Sequence, residues 1–178
     1  MKIHKKQVED TQILFVDNIP QSIYPPSGGY WQHMIPEEKI ESALVLGVAG
    51  GTIPRMLIEK NPDIQITAVD NSKKVIDYAK KHFNLKEIKM KLFIKDAFEF
   101  IYETPERYDY IAVDIWKGIW FPFTVLTAPF ITRCKDLLKP NGTLYINTPN
   151  LDVLALTELK GGLRDDLGNN IIYRWKRI

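Results

Sequence analysis

The sequence predicts an α/β protein with a mostly parallel sheet and helices on both faces. Three observations support this fold class. Short apolar segments alternate with segments of helical periodicity, which is typical of β-α-β units with right-handed crossovers. A glycine-rich turn follows the first buried strand. Four predicted strands end in a polar residue, and these residues are Asp70, Asp96, Asp114 and Asn147.

Composition limits the kind of protein this chain forms. Its 178 residues suffice for one compact unit with a sizeable core, and 45% of them are hydrophobic. The net charge of +2 and the scattered lysines give no strong nucleic-acid signal. No apolar run approaches the roughly 18 residues of a membrane span, and no secretory leader is recognised. The single cysteine suits a reducing cytosol, and no histidine or cysteine pair has metal-ligand spacing, so we expect a cytoplasmic protein without a metal.

The chain divides into an extension and a larger domain. Residues 1–42 are expected to form an N-terminal β extension and a loop, and residues 43–178 the α/β domain. Within the extension, residues 12–16 and 19–24 have strand character around an Asp-Asn turn, which predicts a β-hairpin.

The most informative unit covers residues 43–70. An apolar strand leads into the turn Gly-Val-Ala-Gly-Gly, a helix continues to Lys60, and a second strand ends at Asp70. Glycine lets a ligand approach the backbone, a helix N-terminus offers unpaired N–H groups, and a carboxylate after the next strand accepts both hydroxyls of a ribose. The interval from Gly47 to Asp70 is close to the roughly 20 residues expected.

The turn also restricts the ligand. A dinucleotide fingerprint would need glycine at Ala49 and Thr52, and a phosphate loop would need a lysine after the glycines. The remaining common occupant is an adenosine without a pyrophosphate, as in S-adenosylmethionine. The alternative is a tight strand-to-helix turn that binds nothing.

Further helices and strands alternate beyond this unit. They are a helix from Asn71 to Phe83, a strand over residues 88–94, a short helix from Phe98, a strand over residues 110–113, a helix over residues 130–138 and a strand over residues 143–146. An aromatic loop precedes the last helix. Because the carboxyl ends of parallel strands share one edge, the four polar strand ends are expected beside the glycine turn, where open α/β sheets bind ligands.

Several segments carry a family resemblance. In the N-terminal segment they read FVDN at residues 15–18, followed by Gln21, and WQHM at 31–34. In the rest of the chain they read LVLGVAGGT at 44–52, VD at 69–70, KDA at 95–97, YDYIAVD at 108–114 and LKPNG at 138–142. Together they resemble the spermidine synthase family, the aminopropyltransferase branch of the class I S-adenosylmethionine-dependent methyltransferases. The resemblance covers about residues 12–148 and implies a Rossmann-like fold with a small N-terminal hairpin.

The resemblance implies roles for individual residues. Asp114 would be the catalytic carboxylate that positions and deprotonates the attacking amine. S-adenosylmethionine or its decarboxylated form would be the cofactor, and a small molecule the substrate, in a homodimer. The implied cofactor-binding residues are Gln32, Gly47, Ala49, Gly51, Asp70, Asn71, Asp96 and Ala97, and the implied substrate loop contains Trp116, Lys117, Trp120 and Pro122.

Two departures from the family pattern bear on the reaction. Gly50 stands where the family has an aspartate that holds the ammonium of the decarboxylated donor, and Lys117 stands where it has a second carboxylate for the polyamine. A cation near a site for a polycation opposes binding. The sequence therefore favours methyl transfer to a small or medium acceptor. Aminopropyl transfer is one alternative, and a catalytically silent nucleoside-binding or scaffold protein is another.

A third departure concerns the C-terminus. A helix over residues 151–160, a Gly-Gly break and a single strand over residues 170–178 are predicted after Asn147. Class I methyltransferases finish with two strands, so the sequence predicts a sheet shortened at this edge or completed by another subunit.

Overall fold

A computed structural model describes residues 1–150 and 159–178 of the chain. These residues form strands β1 (Ile3–Val8), β2 (Thr11–Val16), β3 (Ile19–Tyr24), β4 (Ser42–Leu46), β5 (Gln65–Asp70), β6 (Lys91–Ile94), β7 (Tyr108–Val113), β8 (Leu138–Pro149), β9 (Leu163–Asp166) and β10 (Asn170–Lys176). The α-helices are α1 (Thr52–Lys60), α2 (Lys73–His82), α3 (Ala97–Glu103) and α4 (Ala128–Asp136). None of the described helices is long and apolar enough to cross a membrane.

The main sheet has seven strands in the order β6-β5-β4-β7-β8-β10-β9. The strands from β6 to β8 are parallel, and β10 and β9 close the sheet as an antiparallel pair. The central strand β4 is almost entirely apolar, because a parallel strand covered by helices on both faces meets no water. The predicted α/β fold is therefore confirmed.

Each face of the sheet has its own hydrophobic core, because successive side chains of a strand point to opposite faces. Ala43 and Val45 pack with residues of α1 and α2 on one face. Leu44 and Leu46 pack with residues of α3 and α4 on the other. All four of these side chains are fully buried. The sheet is thereby held rigidly, with its carboxyl edge fixed.

The N-terminal segment forms a separate antiparallel sheet in the order β1-β2-β3. The predicted hairpin corresponds to β2 and β3, whereas β1 was not predicted because its lysines obscure the alternation of a strand. This sheet is tied to the start of α1. The N–H of Ile23 donates to Oγ1 of Thr52 at 2.9 Å, and this hydroxyl donates to the carbonyl of Ile23 at 3.1 Å.

The structure corrects the prediction for the C-terminal edge. The prediction of a single closing strand was wrong, because β9 (Leu163–Asp166) pairs with β10. The strand escaped prediction because it has four residues, three of them charged, and Arg174 of β10 pairs with Asp165 at 2.9 Å. The sheet therefore has both closing strands within one chain. Most of the helix predicted over residues 151–160 lies outside the described residues.

Several predicted boundaries also shift. The third parallel strand begins at Lys91, since residues Leu85–Glu87 form a 3-10 turn before it. The last helix ends at Asp136, and β8 begins at Leu138 with a register irregularity against β7.

Candidate functional site

A cleft of about 750 Å³ opens along the carboxyl edge of the parallel strands. The glycine turn, the ends of β5 and β7, the start of α3 and the loop after β7 line it, together with residues of the N-terminal segment. Most of the predicted site residues lie at this cleft, namely Gly47, Ala49, Asp70, Asn71, Asp96, Ala97, Asp114, Trp116, Lys117, Trp120 and Pro122.

Two predicted residues do not line the cleft. Gln32 is exposed, and its Nε2 lies 3.4 Å from Nε2 of His33. Gly51 is buried behind the turn and precedes α1 in a left-handed conformation, with φ of 89°. A Cβ at Gly51 would lie 2.6 Å from Cδ1 of Leu85, so this glycine supports the turn by packing.

The carboxylate of Asp70 organises the glycine turn. Its Oδ2 accepts the N–H groups of Val48 at 3.0 Å and Ala49 at 2.9 Å, and its Oδ1 accepts the N–H of Ser72 at 2.8 Å. A carboxylate has about four acceptor positions, so Oδ1 retains capacity for a ligand hydroxyl. Ala49 adopts a left-handed conformation with φ of 45°, which costs about 1 kcal/mol for a residue with a side chain.

Gly47 must be glycine for a steric reason. Its φ is 93°, and a Cβ there would lie 2.0 Å from the carbonyl oxygen of Asp114. The first residue of the turn is thus pressed against the end of β7. This contact brings the turn and the Asp114 backbone together at the cleft.

Ser22 of the N-terminal sheet closes the turn from the other side. The N–H of Gly50 donates to Oγ of Ser22 at 2.7 Å, and Ser22 is 1% exposed. A Cβ at Gly50 would lie 2.7 Å from Cβ of Ser22. Ser22 therefore occupies the space that a larger residue at Gly50 would need, and no acidic side chain stands there.

Asp96 begins α3 at the cleft edge. Its Oδ1 accepts the N–H of Phe98 at 2.8 Å, which caps the helix, and the residue is exposed. Its second carboxylate oxygen is open to a ligand at the cleft.

Asp114 stands at the end of β7 and is the most perturbed acid in the site. Its Oδ1 accepts Nδ2 of Asn147 at 2.8 Å, and its Oδ2 accepts the hydroxyl of Tyr30 at 3.0 Å. Burial raises the pKa of Asp114 to about 6, while hydrogen bonds from Asn147, Tyr30, Trp31 and Trp116 pull it down. Burial and the nearby Asp114 raise the pKa of Tyr30, so its hydroxyl remains a donor. The site thus holds a carboxylate that can exchange a proton near neutral pH.

A second asparagine orients the first. Nδ2 of Asn170, at the start of β10, donates to Oδ1 of Asn147 at 2.9 Å. This bond fixes the Asn147 amide with its nitrogen toward Asp114. The sequence predicted that Asn147 ends a strand, whereas Asn147 lies within β8, which continues to Pro149. The roles of Tyr30, Ser22 and Asn170 were not predicted, because their partners lie far away in the chain.

The loop after β7 is a tight turn with aromatic side chains. The N–H of Lys117 donates to the carbonyl of Trp120 at 2.8 Å, and the reverse bond is 3.0 Å long. Gly118 packs against Asp17, whose Oδ2 lies 3.3 Å from the position of a Cβ. Trp116 stacks edge-on against Phe121 at 5.4 Å, whereas Trp120 is 73% exposed.

Within residues 1–150 and 159–178, no group of three His, Cys, Asp or Glu side chains could hold a metal ion. The glycine turn, the strand-end carboxylates and the sheet order together define a class I methyltransferase-type fold with a cleft at its usual edge. The chain belongs to the spermine/spermidine synthase domain family, which matches residues 32–155. The family resemblance read from the sequence is therefore confirmed.

Curated relatives share part of the chain. A probable polyamine aminopropyl transferase of Bifidobacterium longum is 29% identical over 134 residues, which are 75% of this chain and 29% of the relative. An N-terminal histidine N-methyltransferase of Emericella nidulans is 36% identical over 121 residues, which are 65% of this chain and 21% of the relative. The chain spans less than a third of the length of either relative.

Solved structures share the fold. A probable spermidine synthase from Corynebacterium glutamicum aligns with a TM-score of 0.81 at 19% identity, over 98% of this chain and 76% of that chain. Human methyltransferase-like protein 13 in complex with SAH aligns with a TM-score of 0.67 at 22% identity, over 78% of this chain and 72% of that chain.

Proposed function

We propose that this chain is a transferase that moves the aminopropyl group of decarboxylated S-adenosylmethionine to an amine. The observation that carries the proposal is the enclosed Asp114 carboxylate, which faces the cleft with a pKa of about 6. An amine attacks only in its neutral form, so it needs a neighbouring group that takes its proton. The family and the aminopropyltransferase relatives support this choice of group.

Residues of the site would each have one role in the transfer reaction. Asp70 would accept a ribose hydroxyl, and Asp96 would accept the adenine amino group. The acceptor nitrogen would bond to the carbon beside the sulfonium. The carbon–sulfur bond would break with its electron pair remaining on sulfur, and the nitrogen's proton would pass to Asp114. Tyr30 and Asn147 would hold the carboxylate in line, because alignment contributes much of the rate in such displacements.

The test is product analysis by mass spectrometry. The protein is incubated with decarboxylated S-adenosylmethionine and a panel of primary amines, and we expect methylthioadenosine together with an aminopropylated amine. Asp114→Asn is expected to reduce turnover by about 100-fold or more, the range for loss of a general base. The control is Asp63→Asn, because Asp63 is exposed and outside the cleft. Full turnover by Asp114→Asn would overturn the assigned role.

Methyl transfer is a second candidate, favoured by the contact between Ser22 and Gly50. No acidic side chain stands at that point to attract the ammonium of the decarboxylated donor or to repel the carboxylate of intact S-adenosylmethionine. The relative named as a histidine N-methyltransferase agrees with this alternative. The two reactions leave different products, since methyl transfer releases S-adenosylhomocysteine and aminopropyl transfer releases methylthioadenosine.

A further inference from the structure

The acceptor side of the cleft is built from aromatic side chains. The hydroxyl of Tyr30 donates to Asp114 at 3.0 Å, and Trp31 and Trp116 line the same cleft. The rings of Tyr30 and Trp31 pack together with centroids 4.4 Å apart. A nitrogen that approaches Asp114 therefore enters a cleft lined by three aromatic side chains.

Trp120 lines the same cleft as Asp114. This indole is 73% exposed, although the paired backbone of Lys117 and Trp120 fixes the turn that carries it. A large apolar ring on a fixed turn gains free energy when a ligand covers it. Trp120 is thus the surface on which the body of an acceptor would rest.

Besides Asp114, the acid of the cleft that lies next to the aromatic turn is Asp17. Asp17 is already engaged, because its Oδ1 accepts the N–H of Lys2 at 2.7 Å and lies 3.8 Å from the N-terminal ammonium. Lys117 adds a positive charge, and no ion pair of Lys117 occurs among the described residues. A linear diamine would place its second cation near this lysine, and like charges at short range oppose binding.

We infer that the acceptor is a primary amine on an aromatic body, bound with its nitrogen at Asp114 and its ring on Trp116 and Trp120, in place of a linear diamine. The inference rests on the proposed function, because it assumes that an amine is the nucleophile. The inference adds the chemical class of the acceptor amine to the proposed function. The carboxylate of Asp114 would pair with the one ammonium of such an acceptor, and the aromatic side chains that line the cleft would contact its ring.

A binding assay tests the class of amine without requiring turnover. The protein is saturated with methylthioadenosine and titrated with phenethylamine, butylamine or 1,4-diaminobutane in a calorimeter. We expect phenethylamine to bind at least about tenfold more tightly than 1,4-diaminobutane, from the favourable ring contacts. Equal or tighter binding of 1,4-diaminobutane would overturn the inference.

Variants of the turn sharpen this test. Trp120→Ala is expected to weaken phenethylamine about tenfold and to leave butylamine within about twofold, since only the ring is lost. Ile119→Ala is the matched control, because Ile119 lies in the same turn, is 62% exposed and does not line the cleft. Lys117→Asp is expected to improve binding of 1,4-diaminobutane more than that of either monoamine, because the diamine carries a second positive charge. An equal effect of Trp120→Ala on all three amines would contradict the inference.

Turnover with both donors separates the two proposals. If phenethylamine binds as expected but neither donor yields a product, the aromatic acceptor site stands and the proposed transferase activity fails. If transfer occurs with 1,4-diaminobutane as the preferred acceptor, the activity stands and the aromatic site is rejected.

Discussion

Asp114, the proposed proton acceptor, also affects the stability of the fold through its raised pKa. Its pKa of about 6 in the folded chain exceeds the value of about 3.9 expected in an unfolded chain. The folded state therefore binds this proton more tightly, and the associated stability is fully present below pH 4 and is lost as the pH rises through 6. Keeping the carboxylate ionised at neutral pH costs up to about 3 kcal/mol.

Asp114→Asn should consequently lose activity without losing stability. At pH 8 we expect its melting temperature to equal or exceed that of the wild type, because the amide avoids the buried charge and still accepts from Asn147. The difference should shrink toward pH 4, where the wild-type carboxyl is protonated. Thermal unfolding from pH 4 to 8 measures this. A variant less stable than the wild type at pH 8 would contradict the account.

Gly50 and Ser22 form a second residue-scale test. Gly50→Asp should destabilise the protein by about 1–3 kcal/mol, because its Cβ would overlap Cβ of Ser22 at 2.7 Å. In the double variant Gly50→Asp with Ser22→Gly, the clash is removed and much of this loss should be recovered. Denaturant unfolding of the two single variants and the double variant gives the coupling energy. Additive effects would show that the two residues do not share this space.

At the scale of elements, the closing strand β10 is linked to the Asp114 carboxylate through β8. Asn170 starts β10 opposite Pro149, and its amide orients Asn147 on the neighbouring strand. The antiparallel edge thus does more than complete the sheet. It determines which atom of the Asn147 amide faces Asp114.

Asn170→Ala should weaken catalysis, because Asn170 is linked to Asp114 through the hydrogen bonds of Asn147. The Asn147 amide becomes free to rotate, and loss of its donated bond raises the pKa of Asp114 further. We expect kcat to fall about fivefold to tenfold, with the acidic limb of the pH–rate profile shifted to higher pH. Asn169→Ala is the control, because that residue is exposed in the preceding turn. An unshifted pH profile in Asn170→Ala would argue against a positioning role.

The elements that the sequence predicted well are those with a strong local pattern. The buried strand before Gly47 and the capped helix after Asn71 read clearly because apolar periodicity and turn chemistry agree. The strands β1 and β9 were not predicted, because both contain charged residues and β9 has only four residues. Each is recognisable as a strand only from its pairing with a neighbouring strand.

The same division applies to the site. Asp70 and Asp114 were predictable because a strand end fixes their position along the sheet edge. The pairing of Tyr30 with Asp114 joins residues 84 positions apart, and that of Ser22 with Gly50 joins residues 28 positions apart. Contacts of this kind depend on how the two sheets pack, which no local pattern encodes.

At the scale of the whole molecule, the two sheets build one cleft. The N-terminal sheet contributes Ser22 beneath the glycine turn, and the segment after it contributes Tyr30 beside Asp114. The main sheet contributes the strand-end acids. A homodimer and a cytoplasmic location, expected from the sequence, remain predictions, and sedimentation of the purified protein would test the first.

The most direct test of the account is a calorimetric titration of the wild-type protein with methylthioadenosine, decarboxylated S-adenosylmethionine and S-adenosylmethionine. The account predicts that methylthioadenosine and the decarboxylated donor each bind once per chain and compete with each other, because both would place their adenosine at Asp70 and the glycine turn. Tighter binding of intact S-adenosylmethionine would favour methyl transfer within the same cleft. Absence of binding by all three compounds would contradict the central claim and leave a scaffold protein with a purely structural glycine turn.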